Sequence, residues 1–214
     1  MCYSEKSSFA AWVILTVFAF MLLYRCEKYD RVFILFVFGL SFVQLLEYGI
    51  YRSADPYQCG KLMFVVLFLQ GFFLSLGLLS YAINLNSPSF FHFSLVFLLF
   101  SFIMFFWSIF YVVTVPDKSI YIYDDGNHIK WVNENFSNHS FLGDLKWIYL
   151  FQLLYPFAML LIYNYYDVGL WILLTYGIGS LIFSVIYYQK YTESIWCYLS
   201  VGFVFLLWII AIQK

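Results

Sequence analysis

Charge is scarce in this chain. Lys and Arg number 11 and Asp and Glu 12 among 214 residues, so 11% of the chain is charged, against roughly 25% in soluble domains. Hydrophobic residues make up 64%. A soluble fold could not hide that much apolar surface, because burial is limited by surface-to-volume scaling. Lipid is therefore the expected solvent for most of the surface, and the bilayer the expected partner. The net charge of −1 leaves no basic field to attract nucleic acid. Histidine is scarcer still. Zinc hydrolases of membranes that hold the metal with three His and an Asp need those residues together, and only His92, His128 and His139 exist here, two of them in one loop. Cys2, Cys26, Cys59 and Cys197 form no C-x-x-C pair and no zinc-type spacing, so no metal is expected, and any other cofactor stays open. Residues 194–212 contain no Lys, which excludes a retinal Schiff base in the last apolar run. The first apolar run, Phe9 to Tyr24, has no basic segment before it and no A-x-A-like site after it. It reads as a retained span and not a cleaved leader. Of the four prolines only Pro156 lies within an apolar run. No repeat is evident, which weighs against a transporter built from paired, broken helices.

What the chain has is long apolar runs. A helix needs about 20 apolar residues to cross the hydrocarbon core. Runs at approximately 8–24, 32–51, 62–83, 90–115, 147–163, 168–188 and 194–212 qualify. The expected fold is an all-α membrane protein, one heptahelical domain over residues 1–214. Helices are expected because backbone groups in lipid must pair internally. Arg25–Arg31, Ser53–Pro56 and Asn84–Pro88 punctuate the first four runs. An odd number of spans puts the termini on opposite sides. The N-terminal side, side A, then carries most of the extramembrane residues, including the 116–146 loop. Within that loop Ser119–Asp124 and His128–Asn133 are β-branched and aromatic and flank Asp125-Gly126-Asn127, so a small β-hairpin is expected.

Two signals bear on orientation. Side A holds more Lys and Arg, which favours it as cytoplasmic. The first helix, which usually dominates, is followed by Arg25, Lys28 and Arg31, which favours side B. Asn135-Phe136-Ser137 and Asn138-His139-Ser140 are glycosylation sequons on side A. The reading adopted places the N-terminus and the 116–146 loop outside or lumenal and the C-terminus in the cytoplasm.

Polar residues inside the runs are few: Gln44 and Glu47 in the second, Gln70 in the third, His92 near the start of the fourth and Gln152 in the fifth. An ionisable group in a membrane helix costs about 2.5–3.5 kcal/mol even on a lenient scale, and is a functional hypothesis by default. Glu47 is the only acid well inside a run. It shares a helix face with Gln44, Ser41 and Tyr48. The seven-span layout brings Cys2, Ser4, Glu47, Tyr48, Ser194, Trp196 and Cys197 to one depth near side A. No His or Lys is placed to depress a thiol pKa there, so a cysteine nucleophile is not expected. A Cys2–Cys197 disulfide, two free thiols and a pair of ligands all stay open.

Met1-Cys2-Tyr3-Ser4 with Ser8-Phe9, the Gln44 and Glu47 pair, and Ser194-Ile195-Trp196-Cys197 resemble a family of multipass membrane proteins from bacteria and large DNA viruses. Those proteins typically begin M-C-[FY]-S-x-x-x-S-F. The resemblance implies that Cys2, Ser4, Glu47, Trp196 and Cys197 belong together, and it carries no activity over. Three functions stay open. One is small-molecule binding or transport through a polar vestibule near Glu47, with Cys2, Ser4, Gln44, Glu47, Tyr48, Ser194, Trp196 and Cys197 as candidate ligand-binding residues. The second is a membrane-embedded enzyme using Glu47 as acid/base. The third is a structural or interaction protein of a viral or cellular membrane. Oligomeric state is open as well.

Overall fold

The computed structural model describes residues 5–27, 29–52, 55–116, 119–124, 129–133, 145–164, 166–187 and 201–209. They are mostly helical. In chain order the elements are α1 (Glu5–Arg25), α2 (Asp30–Tyr51), α3 (Pro56–Leu85), α4 (Pro88–Thr114), β1 (Ile120–Asp124), β2 (Ile129–Asn133), α5 (Lys146–Tyr163), α6 (Val168–Tyr187) and α7 (201–209). Four of them, α1 to α4, are long and apolar enough to cross a membrane, which fits an integral membrane location. Helices α5 and α6 are apolar and shorter in their continuous apolar stretch. The flanks of the expected last span, 194–200 and 210–212, lie outside the described residues.

Capping explains why α3 and α4 run longer than their apolar cores. The Asp55 side chain accepts from the amides of Tyr57 and Gln58, with Pro56 opening α3. This is the N-terminal chemistry that starts a helix before its apolar run begins. Asn86 then adopts the left-handed conformation, φ 50°, and ends α3. Ser87 accepts from the Phe90 amide and Pro88 opens α4. At 30 residues, α3 is about 45 Å long, more than the roughly 30 Å hydrocarbon thickness.

Helix α3 forms the centre. It packs against α2, α4 and α5 and carries β1 on its flank. Phe64, Phe68, Leu67, Leu74 and Leu78 on it are buried. Phe33 of α2, Phe157 of α5 and Phe203 of α7 meet ring to ring at centroid distances of 5.2–5.6 Å. Strands β1 and β2 pair antiparallel, Ile120 opposite Asn133 and Asp124 opposite Ile129. The expected turn, Asp125-Gly126-Asn127, and His128 lie outside the described residues.

The polarity of α4 is inside-out. Phe93, Val96, Leu99, Ile103, Phe106, Phe110 and Val113 are exposed, while Ser94, Ser101 and Ser108 are buried. A water-soluble helix would reverse this. In lipid, apolar side chains face out freely, and small residues let helices approach closely.

Candidate functional site: a buried carboxylate and amides within the bundle

Gln44 and Glu47 lie on the buried face of α2 with Leu40 and Val43. Glu47 is 0% exposed and Gln44 1%. The end of the α1–α2 pair above them is fixed by contacts between the two helices. Arg52 forms an ion pair with Glu5, and Phe9 packs on Tyr48 with centroids 5.2 Å apart. The Arg52 guanidinium lies 5.6 Å from the Tyr48 ring centroid. Glu47 is five residues below Arg52, about 7.5 Å, and Gln44 is about 4.5 Å deeper. The Gln44 Nε2 and the buried Ser8 Oγ on α1 have no hydrogen-bond partner among the described residues. A donor buried without a partner costs free energy, so a ligand or water that satisfied it would bind with that gain.

Cys2, Ser4, Ser194, Trp196 and Cys197, the other members of the expected cluster, lie outside the described residues. Tyr48 is half-buried at the rim, turned to Phe9 and Arg52. The Ser41 hydroxyl donates to the Phe38 carbonyl of its own helix, 2.9 Å away. His92 is exposed in the first turn of α4, with Nδ1 2.6 Å from the Pro88 carbonyl oxygen. Cys26 is an exposed thiol and Cys59 a buried one.

Two further polar groups emerge. At mid-bundle, the Tyr149 hydroxyl donates to Gln70 Oε1 at 2.7 Å, and Gln152 lies one turn along from Tyr149. The sequence singled out both glutamines. Tyr149 was legible only as a residue three positions before Gln152, hence on the same face.

The second group holds the opposite end together. Arg25 grips Asp30 with two hydrogen bonds, 2.7 and 2.5 Å, and donates to the Trp208 carbonyl at 3.0 Å. The Tyr29 hydroxyl donates to Asp167 at 2.6 Å, and the Tyr81 hydroxyl to Asn164 at 2.9 Å. Asp167 also accepts from the Leu170 amide in the first turn of α6. The ends of α1, α3 and α5, the starts of α2 and α6, and Trp208 of α7 are thereby tied at one level. Reading Asp30 and Arg31 as linker residues is corrected here, since both form the first turn of α2.

Burial, and then the hydrogen bond to the Asp167 carboxylate, push the Tyr29 phenol above its ordinary value of 10. The fold thus favours the neutral phenol. Its contribution is fully present below the unfolded value and is lost as pH rises beyond it. Stability should therefore fall above about pH 10, and the fall should be shallower in Tyr29→Phe. Thermal unfolding in detergent across this range checks it, and equal slopes in the two proteins would exclude Tyr29 as the source.

A cavity of about 270 Å³ opens between α1, α6 and α7, lined by Ser7, Ala10, Ala11, Ile14, Tyr176, Val201 and Gly202. The pairings Glu5 with Arg52 and Phe9 with Tyr48 put Ala10 opposite Glu47, so the cavity lies at the carboxylate's depth. Comparison with protein-family models, curated proteins and solved structures gave no match.

Proposed function

We propose that the protein is a seven-helix integral membrane protein that binds a small molecule in a polar vestibule built on Gln44 and Glu47. The observation that carries this reading is the full burial of Glu47 on the interior face of α2, where an ionisable side chain is costly to keep. Gln44 adds an amide donor on the same face. A carboxylate beside an unfilled amide donor selects a small cation that also carries a hydrogen-bond acceptor. The layout supports alternating crossings, because α1, α3 and α5 end, and Trp208 of α7 lies, at the level where α2 and α6 begin. On that layout the vestibule opens toward the N-terminal side, which we place outside or lumenal. Strand β1 packs against α3, which supports placing the 116–146 loop on that side. The family resemblance adds Cys2, Ser4, Ser194, Trp196 and Cys197, which lie outside the described residues, as further candidates for the same site.

The test is Glu47→Gln in the full chain, purified in lipid nanodiscs. A neutral amide keeps most acceptor contacts, so the variant should stay folded. Ethanolamine, an ammonium with a hydroxyl acceptor, should raise the melting temperature of the wild type saturably and leave Glu47→Gln unmoved. If ethanolamine does not shift the wild type, or if both proteins respond alike, the vestibule reading falls.

A further inference from the structure

Between α3 and α5, at mid-bundle, lies a cluster with no charge. Gln70 and Gln152 are both 0% exposed. Gln70 Oε1 accepts from the Tyr149 hydroxyl, but Gln70 Nε2 has no partner among the described residues, and neither does Nε2 or Oε1 of Gln152. Gln152 lies directly over Gly71. A Cβ on that glycine would meet Cβ and Cδ of Gln152 at 2.9 Å and Oε1 at 3.0 Å. Only the missing side chain admits the amide. Pro156 removes one more bond. It has no N–H to give the Gln152 carbonyl four residues before it, where α5 continues through the proline. One small region therefore concentrates amide donors on both helices, the Gln152 side-chain acceptor, and a main-chain carbonyl deprived of its usual helix bond.

An apolar membrane helix pair would bury none of these groups, since each costs free energy unless paired. Gln152 is also held close to the α3 backbone at Gly71. From these observations we propose that the Gln70–Tyr149–Gln152 cluster is a binding site for a small neutral molecule that both donates and accepts hydrogen bonds, of the carboxamide or polyol class. A neutral ligand is specified because no acid or base side chain belongs to the cluster. A ligand with a single polarity is excluded because donors and acceptors are both unfilled. The site is distinct from the Glu47 vestibule. Gln70 lies against Gly39 of α2, eight residues or about 12 Å deeper along that helix than Glu47.

The experiment uses the full chain in nanodiscs with glutamine side-chain amides labelled with ¹⁵N. The Gln70 and Gln152 signals are assigned by their disappearance in Gln70→Leu and Gln152→Leu. Propionamide and glycerol are the probes, and methylammonium is the charged control. Propionamide or glycerol should shift both signals saturably, and methylammonium should not. Pro156→Ala, which returns a donor to the Gln152 carbonyl, should weaken binding about tenfold, the worth of one hydrogen bond, while both signals persist. Signals that exchange magnetisation with water but show no saturable response to either probe would mark a structural water site, and overturn the proposal. So would an equal response to methylammonium. Because Glu47→Gln leaves this cluster intact, its response is read separately from the vestibule test.

Discussion

Asp30→Ala is expected to destabilise the protein by about 3–5 kcal/mol, the cost of removing one partner from a buried ion pair. The Asp30 side chain is 1% exposed and that of Arg25 18%, so the lower part of that range applies. Three interactions end together. The two-pronged contact with Arg25 is lost, the Glu27 amide loses its acceptor at 3.0 Å, and the first turn of α2 loses its favourable negative charge. Among the described residues Arg25 keeps the Trp208 carbonyl of the far helix as its acceptor, which cannot neutralise a guanidinium. The same reasoning makes the double replacement milder than the single one. Arg25→Met with Asp30→Leu removes both charges and fills similar volume, an exchange that is often neutral or stabilising. Unfolding of the three variants in detergent, followed as a double-mutant cycle, reads the coupling. An Asp30→Ala protein within about 1 kcal/mol of wild type would show that the pair contributes little.

That pair was hard to see in the sequence for a physical reason. Arg25 through Arg31 carries five charges in seven residues, which by composition is a solvated turn. Only the return of α7 to this end, with the Trp208 carbonyl, and the burial of Asp30 turn it into an anchor. Tyr29 and Asp167, and Tyr81 and Asn164, are likewise far apart in sequence. Nothing local to any of the four residues announces its partner. Helical character, by contrast, is a local property of long apolar runs between polar breaks, and it could be read directly. Where the extents differ, capping is responsible. Tyr57, Gln58, Gly60 and Lys61 do not look like the start of an apolar span, yet Asp55 and Pro56 start α3 there.

The candidate site was legible in kind and only partly in place. Gln44, Glu47, Gln70 and Gln152 stand out because polar side chains in apolar runs are costly, and all four are buried. What sequence could not supply is which neighbour each one meets. Gln70 is held by Tyr149, an aromatic residue among the 20 tyrosines of the chain, with nothing in composition to single it out. His92 shows the converse. It looked like a costly interior residue but stands exposed at the first turn of α4, beside the Pro88 carbonyl.

Glycines give the other large effect, with controls built into the same helices. Gly77→Ala is expected to cost at least about 2–3 kcal/mol, at the upper end for overpacking. A Cβ there would lie 2.1 Å from the Val32 carbonyl oxygen, 2.7 Å from its carbon and 2.8 Å from its Cα. All three are backbone atoms of α2, so no rotamer change can relieve the overlap, and the two helices must part. The separation would spread, because Gly39 of α2 approaches Gln70 of α3 seven residues along on each helix, two turns away in the same seam. Gly71→Ala should cost less, since it meets the Gln152 side chain and not backbone, and Gly39→Ala less again, at 3.0 Å from Gln70 Cγ. Among the described residues, a Cβ at Gly49 or Gly179 meets nothing within 4 Å. Gly49→Ala and Gly179→Ala should be neutral or gain up to about 1 kcal/mol from the better helix propensity of alanine. Melting temperatures of the five variants in one detergent should follow that order. If Gly77→Ala melts with Gly49→Ala, the close approach of α2 to α3, which sets the positions of both polar sites, is wrong.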